Sequence, residues 1–71
     1  MPRKLRELRA ELRREGWQVD RQTGSHQIWK HVLLPGDEIN RAGKDGADAM
    51  RYQEKDVVEG VRKAREAPGR R

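Results

Sequence analysis

The spacing of the apolar residues changes at Gly16, and this change constrains the fold more than any other feature of the sequence. The apolar residues before it are three leucines at positions i, i+3 and i+7, namely Leu5, Leu8 and Leu12. Such spacing predicts an amphipathic helix over residues 3–15, which glycine can end because it adopts the left-handed conformation common at helix C-termini. After Gly16 the period becomes two, which predicts a short half-buried strand with Trp17, Val19 and Arg21 on one face.

Two more strands and a second helix are predicted further along the chain. Strong β-formers over residues 26–32 follow turn residues at 22–25 and should pair back as a hairpin, and a weaker third strand covers residues 38–42. A loop then leads to Asp48, which is a suitable N-cap for a helix over residues 52–66. The apolar residues of that helix share one arc: Val57, Val58, Val61 and Ala64.

This order of elements predicts one α+β domain over residues 1–67, followed by a basic C-terminal tail over residues 68–71. The connections between the strands are too short for parallel crossovers. We therefore expect a two-layer α-β-β-β-α sandwich, in which both helices cover one face of a three-stranded antiparallel sheet. The expected core consists of Leu5, Leu8, Leu12, Trp17, Val19, Val57, Val61 and Ala64.

The charge of the chain indicates which partners it can have. Seventeen Lys and Arg against 12 Asp and Glu give a formal net charge of +5, so anionic polymers are the first candidates and acidic proteins the second. The absence of cysteine excludes a disulfide framework and a Cys-based zinc site. No apolar run approaches the ~18 residues of a membrane span. We therefore expect a cytoplasmic protein with no membrane partner.

Both histidines of the chain, His26 and His31, lie within residues 24–31. Histidine has a reference pKa of ~6.5, so it can take and give a proton near neutrality, as phosphodiester cleavage requires. The alternative is that both are surface side chains of a half-exposed strand. Strand parity places them on opposite faces of the sheet unless a bulge intervenes.

A group of residues with characteristic spacing runs from the end of the first helix into the second strand: Gly16-Trp17, Asp20-Arg21-Gln22, Gly24-Ser25-His26, Trp29 and His31. A Gly-Ser-His motif, an aromatic residue three positions later and a second histidine are the hallmark of HicA toxins, and the chain resembles that family over about residues 5–31. The C-terminal half departs from the pattern, because residues 40–44 and 51–54 lack the family's firmer third strand and the Gly-Thr start of its last helix.

The resemblance implies a toxin of a type II toxin-antitoxin system, an mRNA interferase that cleaves mRNA without needing the ribosome. It also implies a fold like that of double-stranded-RNA-binding domains, a catalytic role for His26 as general base or acid, and a HicB-type antitoxin that covers the site. No cofactor or metal is expected, since the two histidines, Asp45 and Asp48 match no metal-site spacing. The expected assemblies are a homodimer or a toxin-antitoxin hetero-oligomer.

Six residues are candidate RNA contacts beside His26: Gly24, Ser25, Lys30, Arg6, Arg9 and Arg13. The turn at Gly24 and Ser25 can bring backbone N–H groups close to a phosphate, and Lys30 or a helix arginine would stabilise the charge that develops there. His31 is either an orienting residue or the general acid. The alternatives are a plain hairpin turn, a solvated arginine face and, for the two tryptophans, base stacking rather than a place in the core.

Two other classes of function stay open at this point. A noncatalytic RNA-binding module would use the same basic face and sheet without cleaving RNA. A pure interaction protein would use its positive charge for an acidic partner, and retention of RNA at low salt that falls steeply as salt rises would count against this class. Fragments that depend on His26 and form in the presence of EDTA would separate the nuclease from the other two.

Overall fold

The chain folds into five elements in the order helix, strand, strand, strand, helix, in a computed structural model that describes residues 2–69. The elements are α1 (Leu5–Arg14), β1 (Trp17–Thr23), β2 (His26–His31), β3 (Glu38–Arg41) and α2 (Arg51–Glu66). The strands form an antiparallel sheet in the order β1-β2-β3, with α1 and α2 on one face. The predicted α+β sandwich is confirmed. Of the predicted basic tail, Arg70 and Arg71 lie outside the described residues.

The helix face of the sheet holds the core. Both tryptophans are fully or almost fully buried there, which favours the core over base stacking for Trp17 and Trp29. Val19 is only partly buried and packs against the core. Val58, which was not among the expected core residues, lies on the solvent side of α2 and is 61% exposed. The buried hydrophobic residues are Leu5, Leu8, Leu12, Trp17, Trp29, Ile39, Ala49, Val57, Val61, Ala64 and Ala67.

The pairing of β1 with β2 contains a bulge at Asp20. Val19 pairs with Trp29, but the next paired residue of β1 is Arg21, which lies opposite Ile28. Because paired residues share a face and neighbours along a strand alternate, Arg21 lies on the face without helices. The prediction that Arg21 shares a face with Trp17 and Val19 was therefore wrong.

The segment between β3 and α2 covers the N-terminus of α1. Its carbonyl groups accept hydrogen bonds from the first amides of that helix, Leu5 N to Ala47 O at 2.9 Å and Arg6 N to Asp45 O at 3.1 Å. The predicted N-cap role of Asp48 was wrong: its carboxylate pairs with Lys4 Nζ at 2.5 Å, and α2 begins three residues later. The first turn of α2 is closed instead by a side-chain amide, that of Gln53, which accepts from the Met50 N–H.

Candidate functional site

His26 lies on the open face of the sheet, the face that carries no helix. It is the first residue of β2, directly after the turn at 24 and 25, and its side chain is exposed. Neither ring nitrogen has a hydrogen-bond partner within residues 2–69, so both are available to a ligand. The ring borders a shallow depression of about 400 Å³ lined by Arg21, Gln22, Thr23, His26 and Ile28.

The bulge brings Arg21 into the same depression as His26. In the β1–β2 ladder Thr23 lies directly opposite His26, and Arg21 lies opposite Ile28, two residues away on the same face. Such diagonal neighbours have Cα atoms about 7–8 Å apart, which a long side chain can span. Sequence reasoning did not name Arg21 as a site residue, because period-two alternation assigned it to the other face. A bulge leaves no sign in the alternation of apolar residues along the strand.

Lys30 lies on the open face but not beside His26. His26 and Lys30 are four positions apart along β2, which places their Cα atoms about 13 Å apart at the rise of an extended strand. Two carboxylates also surround Lys30: its Nζ is 3.7 Å from Asp20 and 3.5 Å from Glu38. The structure therefore does not bring Lys30 to the imidazole.

Arg9 differs from the other predicted RNA contacts of α1 because it is buried, with 4% of its surface exposed. Its guanidinium pairs with Asp45 at 2.6 Å and donates to the carbonyl oxygens of Gly43 at 2.7 Å and Ser25 at 3.4 Å. These contacts join α1 to the hairpin turn and to the loop after β3. Arg9 was predicted to contact RNA, and its burial and its structural partners contradict that prediction.

Arg6 and Arg13 are exposed but lie on the helix side of the molecule. The guanidinium of Arg13 stacks over the ring of Trp29 at 5.1 Å from its centroid, which is a cation–π contact. Trp29 belongs to the core on the helix face, whereas His26 faces away from the helices. The α1 arginines and His26 are thus on opposite sides of the sheet.

Side-chain amides fix the hairpin that carries His26. The indole N–H of Trp29 donates to Gln27 at 3.2 Å, the Gln27 amide donates to Gln22 at 3.3 Å, and the Gln22 amide donates to the Gly24 carbonyl at 2.9 Å. Gly24 itself has a φ of +59°, in the left-handed region that glycine favours. This relay connects the buried core to the turn and so fixes the strand end from which the imidazole projects.

His31 lies on the helix face and is 6% exposed. Its Nδ1 accepts from the Leu33 N–H at 3.0 Å, so Nε2 carries the hydrogen and donates to the Glu15 carbonyl at 2.8 Å. The ring also meets Trp17 edge-on, with 5.4 Å between centroids. A Cβ on Gly16 would lie 2.8 Å from Nε2, so this glycine provides the close approach as well as its φ of +93°. The ring thus joins β2 to the end of α1 through Nε2 and to the segment after β2 through Nδ1.

The ion pairs that perturb pKa values lie on α2, outside this site. A hydrogen bond from Arg62 lowers the pKa of Glu59, and a hydrogen bond to Glu15 raises the pKa of Arg65. Glu15 is the C-cap of α1, so the second of these pairs joins the two helices. These shifts accompany structural contacts and do not mark a proton-transfer group.

Two negative findings apply to the part of the chain that the structure describes. Within residues 2–69, no three His, Cys, Asp or Glu side chains are grouped as a metal ion would require. In the same range, neither helix has the length and apolar character needed to cross a membrane.

Comparison with known proteins gives one match. The model of the family described as the HicA toxin of bacterial toxin-antitoxin matches residues 5–55, which is more than two thirds of the chain. The matched segment includes α1, the whole sheet and the start of α2. No curated protein and no solved structure matches the chain.

Proposed function

Because the chain belongs to the HicA toxin family, we propose that this toxin of a toxin-antitoxin pair is an endoribonuclease that cleaves mRNA independently of the ribosome. The observation that carries the proposal is the exposure of His26 on the open sheet face, with both ring nitrogens unpartnered within residues 2–69. An imidazole in this setting can take a proton from a bound substrate. The second histidine cannot serve the same site without unfolding, because its ring is buried between α1 and β2.

The proposed reaction is an internal transesterification. The His26 imidazole removes the proton from a ribose 2′-OH, and the resulting oxygen attacks the adjacent phosphorus. The bond from phosphorus to the 5′-oxygen of the next nucleotide then breaks, and that oxygen leaves with a proton taken from solvent. The products are a 2′,3′-cyclic phosphate and a 5′-hydroxyl end. In this scheme the ribose 2′-oxygen is the nucleophile, so the reaction consumes no external nucleophile.

The family implies an antitoxin partner, and we propose that it is of the HicB type and covers the open face around His26. A protein seated there would exclude RNA from the depression that the imidazole borders. The proposed place of action is the cytoplasm, where mRNA and antitoxin are both present. Addition of the cognate antitoxin should therefore abolish cleavage, while the isolated toxin retains it.

Cleavage of a single-stranded RNA in excess EDTA tests the proposed activity. The wild-type chain should give fragments ending in cyclic phosphate, and His26→Ala should give none. Gln18→Ala is the matched control, because Gln18 is also exposed on the open face but lies opposite Lys30, at the far end of the sheet. An RNA with 2′-deoxyribose at the cleavage position should resist the wild-type protein.

The outcomes separate the nuclease from the noncatalytic alternative. Full activity of His26→Ala would refute the assignment of the imidazole. RNA that is bound but never cut by the wild-type chain would establish the noncatalytic RNA-binding module instead. Circular dichroism of each variant checks that the fold is intact, which is expected because neither substituted side chain contributes to the core.

A further inference from the structure

We infer that Arg21 binds the backbone phosphate that reacts at His26, an inference that rests on the function proposed above. The bulge at Asp20 turns Arg21 to the open face, where it lines the same depression as the imidazole. No other arginine or lysine lines this depression among the described residues. Arg21 is therefore the cation best placed to reach a phosphate whose ribose lies at His26.

The chemistry of the guanidinium fits this role. Its planar array of N–H donors matches two phosphate oxygens at once, and it keeps its positive charge at all physiological pH values. In the proposed transesterification, negative charge accumulates on the non-bridging oxygens as the 2′-oxygen attacks. A fixed cation next to those oxygens stabilises the transition state more than the ground state.

The present partners of Arg21 leave it available. Its Nε lies 3.4 Å from Asp20 and its Nη2 lies 3.3 Å from Glu38, while Nη1 has no hydrogen-bond partner within residues 2–69. The Arg21 side chain is 61% exposed, and exposed pairs of this kind contribute only about 0–1 kcal/mol. A phosphate dianion or diester can therefore compete with the carboxylates, whose effect before RNA binds is to hold the side chain near the sheet.

The other cations that the sequence offered do not fit as well. The Cα atom of Lys30 is about 13 Å from that of His26 along the strand, and Lys30 does not line the depression. Arg6 and Arg13 project from α1 on the other side of the sheet, and Arg9 is buried among backbone carbonyls. These contrasts make Lys30 a matched control for Arg21, since both side chains contact the same two carboxylates.

The test measures binding separately from cleavage. Fluorescence anisotropy with a labelled single-stranded RNA that is 2′-O-methylated throughout gives affinity without reaction, over a range of salt concentrations. Arg21→Ala should weaken binding about tenfold, the loss expected for one charge-assisted hydrogen bond. It should also reduce the slope of log K against log salt by about 0.7, which corresponds to one phosphate contact. Lys30→Ala should weaken binding clearly less than Arg21→Ala does, because Lys30 does not line the depression at His26.

The results distinguish failure of this inference from failure of the proposed nuclease. Equal losses of RNA affinity in Arg21→Ala and Lys30→Ala would overturn the inference. An unchanged affinity in both variants, or a wild-type chain that does not bind the RNA, would overturn it as well. Cleavage of unmodified RNA is scored in a separate assay, so a protein that binds through Arg21 but never cuts would refute only the nuclease. Arg21→Lys gives a further criterion: it should keep the salt slope but recover only part of the affinity, because an ammonium lacks the planar fork.

Discussion

Substitution of Arg9 decides whether this arginine is an RNA contact, as its position on α1 first indicated, or a structural link. Its guanidinium makes short contacts with Asp45 and with the Gly43 carbonyl, and a longer one with the Ser25 carbonyl. Removal of the side chain leaves these oxygens without their donor and opens a buried space beside the hairpin turn. The chain should therefore lose stability, not only affinity for RNA.

The magnitude follows from the individual contacts. The Asp45 carboxylate is 69% exposed, so its ion pair with Arg9 contributes less than about 1 kcal/mol. The buried hydrogen bond from Arg9 to Gly43 is charge-assisted and contributes about 1.5–3 kcal/mol. We expect Arg9→Ala to cost roughly 2–4 kcal/mol, against the roughly 4–11 kcal/mol total available to a chain of this length.

Urea and thermal denaturation measure this loss. Arg9→Ala should lower the melting temperature by at least about 10 °C, whereas Arg6→Ala, which removes an exposed arginine of the same helix, should leave it within about 2 °C. Arg9→Lys keeps the charge and one donor group, so its melting temperature should lie between those of Arg9→Ala and Arg6→Ala. This variant should stay folded even if Arg9→Ala does not. A melting temperature of Arg9→Ala equal to that of the wild type, combined with weaker RNA binding, would refute the structural role.

Three further substitutions test the packing of the helix face. Arg41 is 1% exposed and pairs only through Nη2, with Asp56 at 2.8 Å, while its Nε and Nη1 lack partners in the described chain. Asp56→Ala should lower the free energy of unfolding in urea by about 2–3 kcal/mol, because it leaves the buried charge of Arg41 unpaired. Arg41→Met removes that charge and should be neutral or stabilising. Equal losses of stability in the two variants would contradict this reasoning. Gly60→Ala would put a Cβ 2.5 Å from Ile39 Cδ1 and 3.3 Å from Trp17, so a loss of about 1–3 kcal/mol is expected, and an unchanged melting temperature would show that the end of the Ile39 side chain can move aside.

The sequence predicted those parts of the fold that depend on local spacing. The leucine stripe and Gly16 define α1 and its end, and the strand order follows from short connections that only an antiparallel sheet allows. Strand parity also predicted that the two histidines lie on opposite faces, because they are five positions apart on one regular strand, but both faces carry apolar residues and parity alone does not say which face is buried. Each of these features is decided by neighbours within a few positions.

The errors concern features decided by distant residues. Arg9 has the helical position of a solvated arginine, and it is buried because the loop after β3 supplies acceptors 34 and 36 residues later in the chain. Asp48 has the composition of an N-cap, but it pairs with Lys4 at the other end of the chain. For Arg21 the cause is an extra residue in β1 that reverses the alternation of faces. No hydropathy pattern contains this information, since it depends on register and on tertiary contacts.

These corrections change how the net charge of +5 relates to a site on the open face. Much of the positive charge is already paired. Arg9 and Arg41 are buried and each pairs with an exposed carboxylate, and Lys30 lies between Asp20 and Glu38. Long-range attraction depends on the net charge, so it raises the rate at which RNA meets the protein at low salt. The position at which a phosphate then settles depends on cations whose partners are exposed and replaceable. On the open face both Arg21 and Lys30 meet that condition, because they share the exposed carboxylates of Asp20 and Glu38, and Arg21 is the one that also lines the depression at His26.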